Sequence, residues 1–185
     1  TKEQLSNFSS FACSLCFIPD SDIPKPGEQF GAGEKFVFEN GRLATEMGFQ
    51  VSVREIPRGD VKQDADSYIT SLDKWNELTE KDFILWYAEK QYASDGTNDE
   101  QLKVISDVCD MLVNVQSDVL QASLLSDLKG KYRRGSVWKG ALTDAARRRQ
   151  EEKRRQANRK SEELRGYNFY RRGNHYYDLE PQGRE

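Results

Sequence analysis

Two short apolar runs, SLCFIPD (residues 14–20) and FQVSVREIP (residues 49–57), flank a segment whose apolar residues repeat with helical spacing. That order constrains the fold more than any other feature. The first run is brief and ended by Pro19 and Asp20, the form of a buried strand. In the second, Val51, Val53 and Ile56 alternate imperfectly until Pro57 closes the run. Between them Phe36, Val37, Leu43, Ala44 and Met47 share one predicted helical face, and Gly48 is placed to stop the helix. Strand, crossover helix, strand is a βαβ unit, so the strands should run parallel with a right-handed crossover. The expected fold class is α/β.

Open parallel sheets bind ligands beyond the carboxyl ends of their strands. Asp20 and Asp22 follow the first strand there, and Asp64 and Asp66, in KQDADSYI, follow the second. Four carboxylates at one edge repel one another, and a hard divalent cation such as Mg²⁺, with its preference for oxygen ligands, resolves that repulsion. Taken singly, each pair is more often a turn or a helix start. Taken together on two parallel strands, they point to a metal site. The motif GAGEK offers Gly31, Gly33 and Lys35 to a phosphate at a helix N-terminus. A tight turn into the crossover helix is the equal alternative.

Beyond residue 70 the pattern turns helical. Residues 2–12 also read as a short helix on Leu5, Phe8 and Ala12. Thr79 with Asp82 reads as a capping box opening EKDFILWYAEKQY. Leu102, Ile105, Val108, Cys109 and Leu112 give DEQLKVISDVCDMLVNV an apolar face, and Ser117 can cap DVLQASLLSDLKGKY. These helices should pack as a small bundle, with Trp75, Trp86 and Tyr87 in its core. From Thr143 to Arg165 the apolar stripe vanishes, so that helix should be exposed until Gly166 ends it. YNFYRRGNHYYDLE reads as a hairpin around Arg172-Gly173-Asn174 that places His175, the only histidine, in a strand. The expected division is 1–72 (α/β), 73–142 (helical), 143–166 (basic linker helix) and 167–185 (start of a further module).

Charge separates along the same lines. Residues 129–172 carry 16 Lys and Arg against 5 Asp and Glu, and the remainder carries 12 against 26, so an acidic body bears a basic arm. Within the arm, Lys131, Arg133, Arg134 and Lys139 interleave with Tyr132 and Trp138, a mixture suited to phosphate contact and base stacking. The stretch Arg147–Lys160 adds charge, with a solvated linker as the alternative reading. No apolar run approaches membrane-spanning length, nor does the start read as a signal peptide. Three cysteines make no disulfide framework, which suggests a reducing, cytoplasmic setting. Cys13 and Cys16 lack partners at zinc spacing and read as small core residues.

The order LCFIPDSD, GAGEK, GFQVSVREIP, KQDADSYI resembles the second half of a Toprim domain as found in bacterial and phage DNA primases. LTEKDFILWYAEKQ through YRRGSVWKGAL is similar to the helical subdomain that follows it, so the likeness covers roughly residues 1–142. It implies RNA primer synthesis from nucleoside triphosphates on a single-stranded DNA template with Mg²⁺ or Mn²⁺. Asp20 and Asp22 would match the family's first acidic pair, and Asp64 and Asp66 the second. The family's invariant glutamate lies on an earlier strand that is absent here; Glu3 sits in the wrong element to replace it, and the zinc module is missing too. The resemblance therefore implies a middle fragment of a primase, or of a primase with a replicative helicase attached, inactive alone. A Toprim nuclease or topoisomerase-like enzyme and a non-catalytic nucleic-acid-binding module are the alternatives.

Overall fold

The computed structural model describes residues 2–59, 62–166, 169–172 and 175–178. In chain order the elements are α1 (Lys2–Phe8), β1 (Ser14–Phe17), α2 (Ala32–Glu46), β2 (Gln50–Arg54), α3 (Ala65–Tyr68), α4 (Leu72–Glu77), β3 (Glu80–Asp82), α5 (Phe83–Gln91), α6 (Asn98–Leu112), α7 (Asp118–Tyr132), α8 (Gly135–Gly166), β4 (Phe169–Arg172) and β5 (His175–Asp178). They fall into two units, Thr1–Ala145 and Ala146–Glu185.

The first unit is α/β. β1 pairs parallel with β2, Ser14 opposite Gln50 and Phe17 opposite Val53, with α2 as the crossover between them. β3 joins the other side of β2 in antiparallel sense, giving the order β1-β2-β3. Nothing apolar marks this third strand: Glu80, Lys81 and Asp82 read as a helix start, yet they are extended. Arg54 of β2 holds Glu80 at 2.8 Å and donates to the carbonyls of Trp75 and Leu78. The helix begins three residues later than expected, at Phe83, with Asp82 rather than Thr79 as its cap; Asp82 Oδ1 accepts from the Ile84 N–H at 2.8 Å.

α2 opens on Gly31, whose N–H donates to the Glu34 carboxylate three residues on, and chain reversal follows at Gly48, whose φ of +91° glycine adopts without strain. Its buried face runs through Val37, Phe38, Gly41, Ala44 and Thr45, while Phe36 is 58% exposed. The face turns on Gly41: Phe83 lies so close that a Cβ there would stand 2.6 Å from its Cζ. A bare backbone inward at position 41 rotates Phe36 outward, against the sequence-based expectation.

β1 is covered on one face only. Leu15 and Phe17 pack on the core while Ser14 and Cys16 face solvent, and Cys13 is exposed as well. The expectation of a buried strand with core cysteines is thereby corrected, because β1 is an edge strand with α2 on a single side.

Sheet and helices share one core. Val51 and Val53 belong to the same buried cluster as Phe83, Trp86, Ile105, Val108, Cys109, Leu128 and Trp138. That cluster runs from Leu5 across residue 72 as far as Ala145. Thr97 forms a capping box with Glu100 at the start of α6, and Ser117 caps α7. Trp86 and Tyr87 are buried as expected; Trp75 is only half-buried, with the Arg54 guanidinium over its ring at 4.4 Å. The α7–α8 turn runs through Arg133 and Arg134, both near φ +55° (55° and 56°), a region where non-glycine residues are strained.

In the second unit α8 continues to Gly166, its side chains exposed from Gln150 to Ser161. β4 and β5 pair antiparallel, Phe169 opposite Asp178 and Arg172 opposite His175. The expected hairpin turn at Gly173 and Asn174 lies outside the described residues. Among the described residues no helix is long and apolar enough to cross a membrane.

Candidate metal centre at the carboxyl ends of the parallel strands

Past Phe17 the chain leaves β1 through Ile18 and the buried Pro19 and turns tightly, with the Asp22 N–H donating to the Asp20 carbonyl at 2.9 Å. Ser21, only 8% exposed, points inward between the two aspartates and joins the loop that follows β2. Its N–H donates to the Gln63 carbonyl at 2.8 Å, and its hydroxyl accepts from the Gln63 N–H at 3.2 Å. The loops after the two parallel strands thus run side by side, as the topology requires.

That pairing delivers Lys62 to the aspartates. Its ammonium lies 2.9 Å from Asp22 Oδ1 and 3.5 Å from Asp20 Oδ2. The second Asp22 oxygen accepts from the Gly33 N–H at 2.8 Å. The Lys62 hydrogen bond holds the Asp22 carboxyl below its usual range; burial opposes this, and the Gly33 N–H and the lysine charge reinforce it. Asp22 in turn pushes the Lys62 ammonium up, with Asp20 adding less.

The glycines of GAGEK serve a purpose other than a phosphate cradle. The Gly33 N–H is engaged by Asp22 and the Gly31 N–H by Glu34 at 3.1 Å. Both residues press on the aspartate turn: a Cβ on Gly31 would stand 2.7 Å from the Asp22 carbonyl oxygen, and one on Gly33 2.7 Å from that of Asp20. Only glycine lets α2 approach so closely. Lys35 pairs with Glu28 at 2.5 Å and joins neither aspartate.

The second acidic pair does not complete a four-carboxylate pocket. Asp64 caps α3, its carboxylate accepting from the Ser67 N–H at 2.8 Å. Ser67, through its side chain and then its N–H, holds that carboxyl low against a small cost of burial, with the Lys62 charge contributing. Asp66 is exposed in the first turn of the same helix. Among the described residues no three His, Cys, Asp or Glu side chains converge to hold a metal. Because α3 begins immediately at Ala65, the D-x-D spacing reads out as a helix N-terminus, and Asp64 turns to its own backbone. The donor set that remains is two carboxylates from one turn. It fits Mg²⁺ or Mn²⁺ held by one or two carboxylates, waters and substrate phosphates, and not an all-protein cage.

Beside the pair opens a cleft of about 500 Å³ lined by Phe17, Phe36 and Val37 together with Asp20, Asp22 and Lys62. Phe17 and Phe36 meet edge to face with ring centroids 6.3 Å apart. A further charged group borders the α2 N-terminus. Glu34, its side chain 7% exposed, accepts from Arg58 at 2.5 Å and from Lys90 at 2.9 Å. The sequence-based reading passed over Lys62, Glu34, Arg58 and Lys90, because their pairings join residues 24 to 56 positions apart.

The aromatic–basic patch divides. Trp138 is fully buried and stacks on Tyr132 at 6.4 Å, so it is a core residue and no stacking platform. Lys131 pairs with Glu89 at 3.3 Å, Arg134 donates to Asn98 at 2.9 Å, and Arg133 and Lys139 are exposed. No family model, curated protein or solved structure matches the chain.

Proposed function

We propose that the chain carries the metal-binding edge of a primase-type nucleotidyltransferase that makes RNA primers on a DNA template. One observation carries the reading: Asp20 and Asp22 stand together, bracketed by Gly31 and Gly33, at the carboxyl end of a parallel strand pair. Open α/β sheets bind ligands at that position. Asp22, fixed by the Gly33 N–H, would be the rigid ligand, and Asp20, at 40% side-chain exposure against 15%, the adaptable one. A Mg²⁺ or Mn²⁺ ion held there would draw charge from the triphosphate and acidify the attacking hydroxyl. The apolar wall of Phe17 and Phe36 keeps water from one flank of that position, which strengthens any charge interaction within it. Lys131, Arg133 and Lys139, near the end of α7 and the start of α8, would meet the template backbone.

Calorimetric titration of the full chain with Mn²⁺ tests this. Binding that Asp22→Asn abolishes and Asp20→Asn weakens supports the reading; absence of binding, or equal binding by Asp22→Asn, overturns it. The exposed basic face of α8 favours a second reading, a non-catalytic nucleic-acid-binding module. That module would bind single-stranded DNA with steep salt dependence and indifference to Mg²⁺.

A further inference from the structure

Lys62 occupies the place where a cation would neutralise Asp20 and Asp22, at 3.5 and 2.9 Å. We infer that it is an exchangeable occupant: its ammonium balances the two carboxylates until a divalent ion displaces it, and the released side chain then binds the anionic end of the nucleotide. The inference rests on the metal-binding reading above.

Three features of the geometry carry it. The Asp22 oxygen facing Lys62 is Oδ1, whereas Oδ2 is engaged by Gly33, so a metal and the ammonium would compete for the same oxygen. Two cations cannot share a carboxylate oxygen at contact distance without strong repulsion, so one must leave. The Lys62 side chain is 57% exposed and has room to leave, while the loop stays anchored by Gln63 on Ser21. The Lys62 charge also helps hold the Asp64 carboxyl low, but Asp64 Oδ1 already accepts from the Ser67 N–H. A displaced ammonium therefore remains at the mouth of the cleft, where a phosphate coordinated to the metal would lie.

The test titrates the full chain with Mn²⁺, and then with a non-hydrolysable nucleoside triphosphate in excess Mn²⁺. Wild type, Lys62→Met, Lys62→Arg and Asp22→Asn are compared, with thermal unfolding verifying that each is folded. Without nucleotide, Lys62→Met should bind Mn²⁺ at least about tenfold tighter, the scale on which groups beyond the ligands tune metal affinity. Its nucleotide affinity in Mn²⁺ should fall by a similar factor, and Lys62→Arg should restore both values towards wild type. Unchanged or weaker Mn²⁺ binding by Lys62→Met, beside normal binding by wild type, overturns the exchange, as does undiminished nucleotide affinity. Folded wild type and Lys62→Met that both fail to bind Mn²⁺ overturn the metal-centre reading itself and the exchange with it.

Discussion

Lys90 in α5 stands 2.9 Å from Glu34 in the first turn of α2 and 2.6 Å from Glu55 beyond β2, one ammonium between two carboxylates. Burial works against its charge, and Glu55 and Glu34 outweigh burial, so its pKa lies above the ordinary lysine value. Glu34 also takes Arg58 and the Gly31 N–H, which makes one carboxylate the tie between α2, α5 and the loop after β2.

Removing that tie should be costly. Among the described residues, Glu34→Ala leaves Arg58 unpaired and Lys90 with Glu55 alone. Loss of one partner from a buried ion pair costs roughly 3–5 kcal/mol, and the 54% exposure of Arg58 reduces this to about 2–4 kcal/mol. Glu34→Gln keeps an acceptor for the Gly31 N–H and should cost about 1–2 kcal/mol. Urea unfolding measures both; Glu34→Ala within about 0.5 kcal/mol of wild type contradicts the structural role given to Glu34.

Gly33→Ala separates the fold from the site. Its Cβ would meet the backbone of Asp20, which cannot swing aside as a side-chain tip can. α2 must back away, and the 2.8 Å bond from the Gly33 N–H to Asp22 lengthens. On the metal-binding reading, Mn²⁺ affinity should fall about tenfold or more. Alanine's better helix propensity, worth up to ~1 kcal/mol over glycine, offsets part of the loss in stability. Tight Mn²⁺ binding by folded Gly33→Ala refutes the bracketing role.

The parallel βαβ unit was legible because its evidence is local: apolar runs of strand length, a helical period and punctuation by Pro19, Gly48 and Pro57. The same holds for the cap at Ser117, whose hydroxyl accepts from the Leu120 N–H three residues on. What escaped depends on distant partners. β3 is three charged residues held extended by β2, with Arg54 gripping Glu80. Trp138 sits among basic residues, and its burial depends on distant packing, against Tyr132 of α7 and beside Cys109 of α6, in the shared core. Asp20 and Asp22 read as ligands awaiting a cation; that Lys62 stands on them follows from the Ser21–Gln63 pairing, 42 positions apart.

Asp82 predicts a pH dependence. Burial pushes its carboxyl above 3.8, although the N–H groups of Ile84 and Leu85 pull it down. A carboxyl with a raised folded-state pKa binds its proton more readily when folded, so it disfavours the native state at neutral pH. That disadvantage fades as pH falls through the folded-state value towards 3.8. Asparagine caps helices as well as aspartate does. The stability of wild type relative to Asp82→Asn should therefore rise on acidification from pH 7 towards 4, while Asp82→Ala, which loses the cap, should cost about 1 kcal/mol at pH 7. A relative stability that falls with acidification reverses the sign and contradicts the assignment.

The basic helix offers a test in which charge and aromatic stacking part company. Lys153, Arg154 and Arg155 are exposed on α8, whereas Trp138 is fully buried. If the arm meets nucleic acid through phosphates, the logarithm of single-stranded DNA affinity should fall linearly with the logarithm of salt, by about 0.7 per phosphate neutralised. Changing Lys153, Arg154 and Arg155 together to Gln should flatten that slope by about 2 and weaken binding alike for every sequence. Trp138→Phe, by contrast, should leave both slope and affinity unchanged, because the ring touches Tyr132 and the core rather than a base. Trp138→Ala should cost about 3–5 kcal/mol of stability, as other large core truncations do. A slope untouched by the triple change, or affinity lost in folded Trp138→Phe, returns the binding surface to the aromatic patch and away from the helix.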